Sequence, residues 1–191
     1  MRDLGVTSAL APQVPEPAVA ALIVLTALGG PKLVAIASTT GSIVGVWSGR
    51  VDPARARRFL VAVALVLSTS IVVKYGLGLP RPPETLMAIP EDGYGFPSGH
   101  ATAAAGLATA LVGTFYSNGR WPAIVAGIYV SAIAATRVLL GVHYLPDVLA
   151  GIVLGVAVGA IGLRADRLRP RMTLAATIGV VAVALPVWAF L

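Results

Sequence analysis

Residues 95–116 decide the fold: Gly95-Phe-Pro-Ser-Gly-His100 runs without a break into Ala-Thr-Ala-Ala-Ala-Gly-Leu-Ala-Thr-Ala-Leu-Val-Gly-Thr-Phe-Tyr116. The first six residues contain two glycines, a proline, a serine and a histidine, and the remainder is an Ala-rich apolar run. Ser98 and Gly99 stand where the helix is expected to begin, so free backbone N–H groups and the positive end of the helix dipole can bind an anion there. The apolar run approaches the 20 or so residues that an α-helix needs to cross a bilayer. The stretch therefore predicts a membrane helix with a polar site at its start.

Composition supports the same interpretation for the whole chain. Of the 191 residues, 57% are hydrophobic and only 12% are Asp, Glu, Lys or Arg, whereas soluble domains carry about 25% charged residues. We therefore expect an integral protein of the cell membrane. The net charge of +6 does not predict a nucleic-acid partner, because most of the excess lies in two short loops. There are no cysteines, which excludes disulfides, thiolate chemistry and Cys-ligated metals.

Six apolar stretches approach spanning length and a seventh is shorter. They are Leu33–Ser48, Phe59–Val73, Gly99–Tyr116, Trp121–Thr136, Tyr144–Leu163 and Met172–Leu191, with the shorter one at Pro17–Leu28. This predicts an all-α fold, a polytopic membrane bundle of six to seven transmembrane helices. We expect one domain over 1–191, with the motif-bearing core at about 59–163 and an extra C-terminal helix at about 172–191. Gly151, Gly155 and Gly159 recur every four residues and predict a small-residue face against which another helix packs closely.

Loop charges predict which side of the membrane each segment faces. Gly49–Arg58 and Arg164–Arg171 each hold four arginines against a single aspartate, so both are expected in the cytoplasm. An odd number of helices separates each from Leu79–Pro97 and from Val138–Val142. Those two segments are therefore expected together on the non-cytoplasmic face.

The predicted non-cytoplasmic ends of the helices collect three cations, both histidines of the chain and one carboxylate. These are Lys74, Arg81, Arg137, His100, His143 and Asp147. The cations can bind a phosphate without a metal. One imidazole could attack phosphorus while the other protonates the leaving oxygen, and Asp147, one turn after His143, could hold that ring in the required tautomer.

Each of these residues also has a purely structural interpretation. Lys74 and Arg137 could be helix-end cations that reach the headgroups, Ser98 an ordinary N-cap, and Asp147 an acidic residue in a first helical turn. The joint placement on one face favours a phosphoryl-transfer site over these separate explanations.

Three segments carry a resemblance to a known family. They are Lys74-x6-Arg81-Pro82, Pro97-Ser98-Gly99-His100 and Arg137-x5-His143-x3-Asp147. Their order and spacing, over roughly residues 74–147, resemble the three-part signature of the phosphatidic acid phosphatase type 2 superfamily. The third part usually begins with Ser-Arg, and here it begins with Thr136-Arg137.

The resemblance implies a role for each matching residue. It implies that His143 is the nucleophile, Asp147 its orienting partner, and His100 the general acid that later activates water. It further implies substrate-binding roles, which fall to Lys74, Arg81, Ser98, Gly99 and Arg137. No metal and no other cofactor are expected.

The expected reaction is hydrolysis of a lipid phosphate or diphosphate through a phosphohistidine. A polyprenyl diphosphate of the undecaprenyl or dolichyl type is the first choice of substrate, and phosphatidate and phosphatidylglycerol phosphate are alternatives. Transfer of the phosphoryl group to an acceptor alcohol and non-catalytic lipid binding rank after these. The expected partners are the lipid substrate and the membrane, and the oligomeric state is left open. Glu84, Glu91 and Asp92, in the loop before Pro97, could shape the access of the lipid headgroup, but the favoured interpretation is that they are solvated loop charges.

Overall fold

The computed structural model describes residues 2–116 and 119–168, with side chains through residue 165. Within these ranges the chain forms seven α-helices and two short 3-10 turns, at Ala11–Gln13 and Glu84–Leu86, and no strand. The helices are α1 Val6–Leu10, α2 Glu16–Ala27, α3 Pro31–Trp47, α4 Pro53–Leu77, α5 Gly99–Phe115, α6 Arg120–Leu139 and α7 Leu145–Leu168. The predicted all-α fold is confirmed over these residues. The apolar segment Met172–Leu191 lies outside them.

Capping residues explain where the two helices that frame the site begin and end. The Asp52 carboxylate accepts hydrogen bonds from the backbone N–H groups of Ala54 and Arg55, at 2.9 and 3.1 Å, and so starts α4. Gly78 ends that helix in the left-handed conformation, at φ 59°, which only glycine adopts without strain. Ser98 caps α5, at the position that its sequence predicts.

Among the described residues, three helices are long and apolar enough to cross a bilayer: Pro53–Leu77, Arg120–Leu139 and Leu145–Ala165. Val6–Gln13 and Glu16–Ala27 would add a fourth span if this pair, bent by 116°, crosses as one unit. The helices at Pro31–Trp47 and Gly99–Phe115 are each 17 residues long. The six to seven spans predicted from the sequence therefore stay a prediction, while the apolar helices are those of an integral membrane protein.

Helix α5 is the centre of the bundle and packs against α3, α4, α6 and α7. Its alanines are buried, and α7 approaches it along the predicted glycine face. A Cβ atom on Gly151 would lie 2.8 Å from the Ser98 carbonyl oxygen, and one on Gly155 would lie 2.9 Å from the Ala105 Cβ atom. Side chains at these glycines would therefore push the two helices apart, which explains the small-residue spacing.

Chain direction brings four helix ends together. The C-terminal ends of α4 and α6 and the N-terminal ends of α5 and α7 lie at one end of the bundle. There the Ser98 N–H donates to the Asp147 carbonyl at 3.0 Å, and the Ala88 N–H donates to the Leu140 carbonyl at 3.0 Å. The Arg-rich segment at the start of α4 lies at the opposite end of this 25-residue helix, about 37 Å away.

Candidate active site

A cavity of about 450 Å³ opens where these four helix ends meet. Five of the eight predicted site residues line it: Lys74, Arg81, Gly99, His100 and His143. Its wall between α3 and α4 is largely apolar and includes Pro31, Leu67 and Ile71. The cavity therefore has cationic groups at one end and an apolar wall formed by helices α3 and α4 at its side.

His143 is held by backbone contacts in the turn between α6 and α7. Gly141 has φ +71°, and a Cβ atom at this position would clash with the Leu86 carbonyl, so the turn requires glycine. The His143 N–H donates to the Arg137 carbonyl at 3.2 Å. The imidazole is 1% exposed, and its Nε2 atom lies 3.1 Å from Nη1 of Arg81. One ring nitrogen thus faces a cation at the cavity.

The environment of His143 favours the neutral ring. Burial lowers the pKa of the His143 imidazole well below its usual value, and the positive charges of Arg81 and Arg137 lower it further. Burial likewise lowers the pKa of the Arg81 guanidinium, while the negative charge of Glu91 opposes that effect. A neutral imidazole retains the lone pair that a nucleophile needs.

Asp147 lies beside His143, and its carboxylate is fixed by other groups. Its Oδ2 atom is 3.6 Å from the His143 Nδ1 atom and accepts a hydrogen bond from the Tyr144 N–H at 3.0 Å. Its Oδ1 atom accepts a 2.5 Å hydrogen bond from Nη1 of Arg2. Nδ1 of His143 has no hydrogen-bond partner among the described residues. The predicted pair is therefore adjacent, but at an ion-pair distance instead of a hydrogen-bond distance.

The two arginines converge on Glu91. Arg137, 1% exposed, forms an ion pair with the Glu91 carboxylate through Nη2, and its Nη1 donates to the Thr26 hydroxyl at 3.0 Å. Nη1 of Arg81 is 3.5 Å from the same carboxylate oxygen and 3.1 Å from the Val142 carbonyl that it donates to. The guanidinium groups predicted to bind phosphate thus share one internal anion.

The remaining predicted residues lie at the edge of the cavity or behind it. Nζ of Lys74 donates to the Tyr94 carbonyl at 2.7 Å. Nε2 of His100 faces the start of α3, where a Cβ atom on Gly30 would come within 3.7 Å of it. Ser98 is fully buried, and its hydroxyl oxygen accepts from the Ala101 N–H at 3.5 Å, so it caps α5 and does not line the cavity.

Thr136, where the resemblance departs from the usual serine, keeps its hydroxyl inside its own helix. Its Oγ1 atom donates to the Ile133 carbonyl at 2.6 Å. The side chain is fully buried, and it contributes no group to the cavity.

Three residues near the site were not singled out as site residues from the sequence. Glu91 was interpreted as a solvated loop charge, yet it binds both arginines. Arg2 reaches Asp147, and the Thr7 hydroxyl donates to the His143 carbonyl at 3.0 Å. For Glu91, a signal was present: an acidic residue in the loop that closes over three cations. Arg2 and Thr7 lie far from the motifs in sequence, and no local pattern marks them.

The fold and cavity define a class, an all-helical membrane protein with a cation-lined cavity where helix ends meet. The sequence profile of the PAP2 superfamily matches residues 55–171. This is more than half of the chain, and the chain belongs to that superfamily. The resemblance inferred from the three motifs is thereby confirmed.

One curated relative is the decaprenylphosphoryl-5-phosphoribose phosphatase of Mycobacterium tuberculosis, matched in strains CDC 1551 and H37Rv. It is 34% identical over 116 residues, which cover 57% of this chain and 62% of that protein. The match therefore spans less than two thirds of the relative's length.

Two crystal structures share the fold. Aquifex aeolicus LpxE superposes with a TM-score of 0.70 at 20% identity, covering 86% of this chain and 96% of that one. The transmembrane PAP2-type phosphatidylglycerolphosphate phosphatase of Bacillus subtilis gives a TM-score of 0.70 at 21% identity, covering 86% and 84%. At these identities the likeness concerns the fold.

Proposed function

We propose that this protein is a lipid phosphatase that hydrolyses a polyprenyl-linked phosphate through a phosphohistidine on His143. The observation that carries the proposal is the placement of a buried imidazole, with Nε2 3.1 Å from an arginine nitrogen, on a cavity that also holds a lysine and a second histidine. A neutral nucleophile beside cationic phosphate ligands is what phosphoryl transfer requires.

In the first step, the Nε2 lone pair of His143 attacks phosphorus and forms the N–P bond. The bond from phosphorus to the bridging oxygen breaks, and that oxygen takes a proton from His100 as it leaves with the lipid. In the second step, His100 accepts a proton from a water molecule whose oxygen attacks phosphorus. The N–P bond breaks, inorganic phosphate is released, and His143 regains its lone pair.

The positive groups stabilise charge on the phosphoryl oxygens. Lys74 and Arg81 line the cavity, and Arg137 reaches the same region through the carboxylate that it shares with Arg81. The first N–H groups of α5, beginning at Gly99, add an anion-binding helix end, which Ser98 holds in shape. Asp147 offsets the positive charge that develops on His143 as the N–P bond forms.

The shape of the cavity supports a lipid substrate. The phosphate would lie among the cations, and the tail would leave along Pro31, Leu67 and Ile71 toward the bilayer. The name of the relative from M. tuberculosis gives its substrate a decaprenyl group. This supports a polyprenyl tail as the first choice for the substrate of this protein. The same name describes a phosphatase that acts on phosphoribose. It therefore supports a phosphate monoester as a substrate class, in addition to the diphosphate expected from the sequence.

The substrate is tested with a panel measured under one set of conditions. Phosphate release in detergent with excess chelator would be compared for decaprenylphosphoryl phosphoribose, undecaprenyl diphosphate, phosphatidate and phosphatidylglycerol phosphate. The proposal predicts the highest kcat/KM for a polyprenyl compound. A preference for either glycerolipid would refute the choice of tail, and appearance of the phosphoryl group on an added alcohol would indicate a transferase.

We also propose one membrane domain of six to seven spans, in which α3 and α5 cross as well and the site faces the non-cytoplasmic side. Because the chain has no cysteine, single cysteines report the face directly. Glu84→Cys, in the loop over the cavity, should react with an impermeant maleimide in intact cells. Arg50→Cys should react only after permeabilisation, and the reverse pattern would invert the proposed topology.

A further inference from the structure

Glu91 holds the place between two arginines that a bound phosphate would otherwise take. Its carboxylate pairs with Arg137 and lies 3.5 Å from Nη1 of Arg81. The two arginine side chains are 1% and 11% exposed, whereas the Glu91 side chain is 25% exposed. The cations are therefore fixed in the protein, and the anion is the more accessible partner.

The positive charges around the cavity explain why a negatively charged side chain of the protein is stabilised there. Three cationic side chains, Lys74, Arg81 and Arg137, converge there and repel one another in a poorly solvated space. A carboxylate and a phosphate use the same guanidinium N–H donors in the same geometry. One group therefore excludes the other from these donors.

We propose that Glu91 is an internal competitor that every anion must displace, and that it thereby sets the affinity of the site for phosphate. This inference rests on the proposed function of the cavity. In the absence of substrate, Glu91 neutralises part of the cationic charge. A substrate phosphate displaces it toward the solvent that already reaches its side chain, and it returns when the product leaves.

The competition gives Glu91 a role in setting how much of the site each anion occupies. Displacing one internal group multiplies the dissociation constant of every anion by one common factor. Phosphodiester headgroups carry a single charge and surround the cavity in large excess. Phosphate monoesters carry nearly two charges at neutral pH and bind the cations more tightly. A common factor leaves the ratio of the two affinities unchanged but lowers the occupancy of both, so the weakly binding diester no longer fills the site when substrate is absent, whereas the monoester still binds.

Two other roles for Glu91 make different predictions. A purely structural ion pair would affect protein stability and leave anion affinity unchanged. A catalytic acid or base would, on neutralisation, lower kcat strongly without tightening phosphate binding. The internal competitor alone predicts tighter binding when its charge is removed.

The test measures binding without turnover. Wild type, Glu91→Gln and the matched control Glu84→Gln, an exposed glutamate in the same loop, would be titrated in detergent with inorganic phosphate and with dihexanoyl-phosphatidylglycerol. The glutamine amide oxygen still accepts a hydrogen bond from Arg137, but an uncharged acceptor competes less well. Glu91→Gln should bind both ligands about tenfold or more tightly, by a similar factor, and Glu84→Gln should match wild type.

Unchanged or weaker phosphate binding by Glu91→Gln, or equal tightening in Glu84→Gln, would overturn the inference. Thermal unfolding with and without phosphate serves as a second measurement, with Glu91→Ala as a second variant. Phosphate should raise the melting temperature of the Glu91 variants more than that of wild type. If wild type binds no phosphate and hydrolyses no lipid, the proposed function fails and this inference falls with it. If wild type does both and the Glu91 variants behave like it, only the inference fails.

Discussion

The N-terminal segment offers a test of how the nucleophile is positioned, because Arg2 contacts Asp147 and lies outside residues 55–171, which the family profile matches. Arg2 donates to the Asp147 Oδ1 atom at 2.5 Å, and the Tyr144 N–H fixes the other carboxylate oxygen. Asp147 is fully buried and Arg2 is 20% exposed. Without Arg2, the carboxylate is free to turn away from the His143 Nδ1 atom, which lies 3.6 Å from Oδ2.

The size of the effect follows from that contact. A hydrogen bond between charged groups contributes about 1.5–3 kcal/mol net, and we take the lower half of this range because Arg2 is partly solvated. If about 1.5–2 kcal/mol is lost in the transition state, Arg2→Ala should lower kcat roughly 10–30-fold. KM should change little, since Arg2 does not line the cavity. Arg2→Lys should recover part of kcat, because it keeps the charge but not the forked geometry.

Phosphate release would be measured over a full substrate range for Arg2→Ala, Arg2→Lys and the control Arg120→Ala, which removes an exposed arginine from the opposite end of the bundle. Thermal unfolding of each variant would separate loss of fold from loss of positioning. An Arg2→Ala protein with wild-type kcat, or one whose loss lies in KM alone, would refute the reasoning.

Two further predictions concern packing and protonation. Gly155→Leu places a side chain against the Ala105 Cβ atom and the neighbouring backbone of α5. Because overpacking costs about 1–3 kcal/mol, the variant should have a lower melting temperature and a lower activity. A wild-type melting temperature would contradict the close packing of α7 on α5. In a His100→Gln variant, nitrogen NMR of His143 should show a neutral ring at the pH where a free histidine, with a pKa of about 6.5, is half protonated, because burial and the nearby arginines lower the pKa of the His143 imidazole. A lowered pKa means that the ring gains its proton only in more acidic solution, so titration near pH ~6.5 would show that burial and the nearby arginines do not act as described.

The sequence predicted those parts of the site that follow from helix ends and local motifs. Ser98 marks the start of α5, and His143 and Asp147 are one turn apart, so their placement depends on short-range rules. Alternating loop charge predicted that these ends would meet. The glycine spacing predicted that another helix packs closely against α7, and the structure shows that this helix is α5.

What could not be predicted depends on contacts between distant segments. Arg2 and Asp147 are 145 residues apart, and Glu91 and Arg137 are 46 apart. Whether a loop carboxylate faces solvent or a cation depends on how the loop folds over the bundle, and composition and spacing do not specify this.

The central claim is that His143 carries the phosphoryl group, and trapping that group tests it most directly. A lipid labelled with ³²P in its terminal phosphate would be mixed with the protein in detergent and quenched within milliseconds in alkali, in which phosphohistidine survives. Wild type should show labelled protein and His143→Ala none. Phosphate release by His143→Ala at the wild-type rate, or protein-bound label in that variant, would contradict the account.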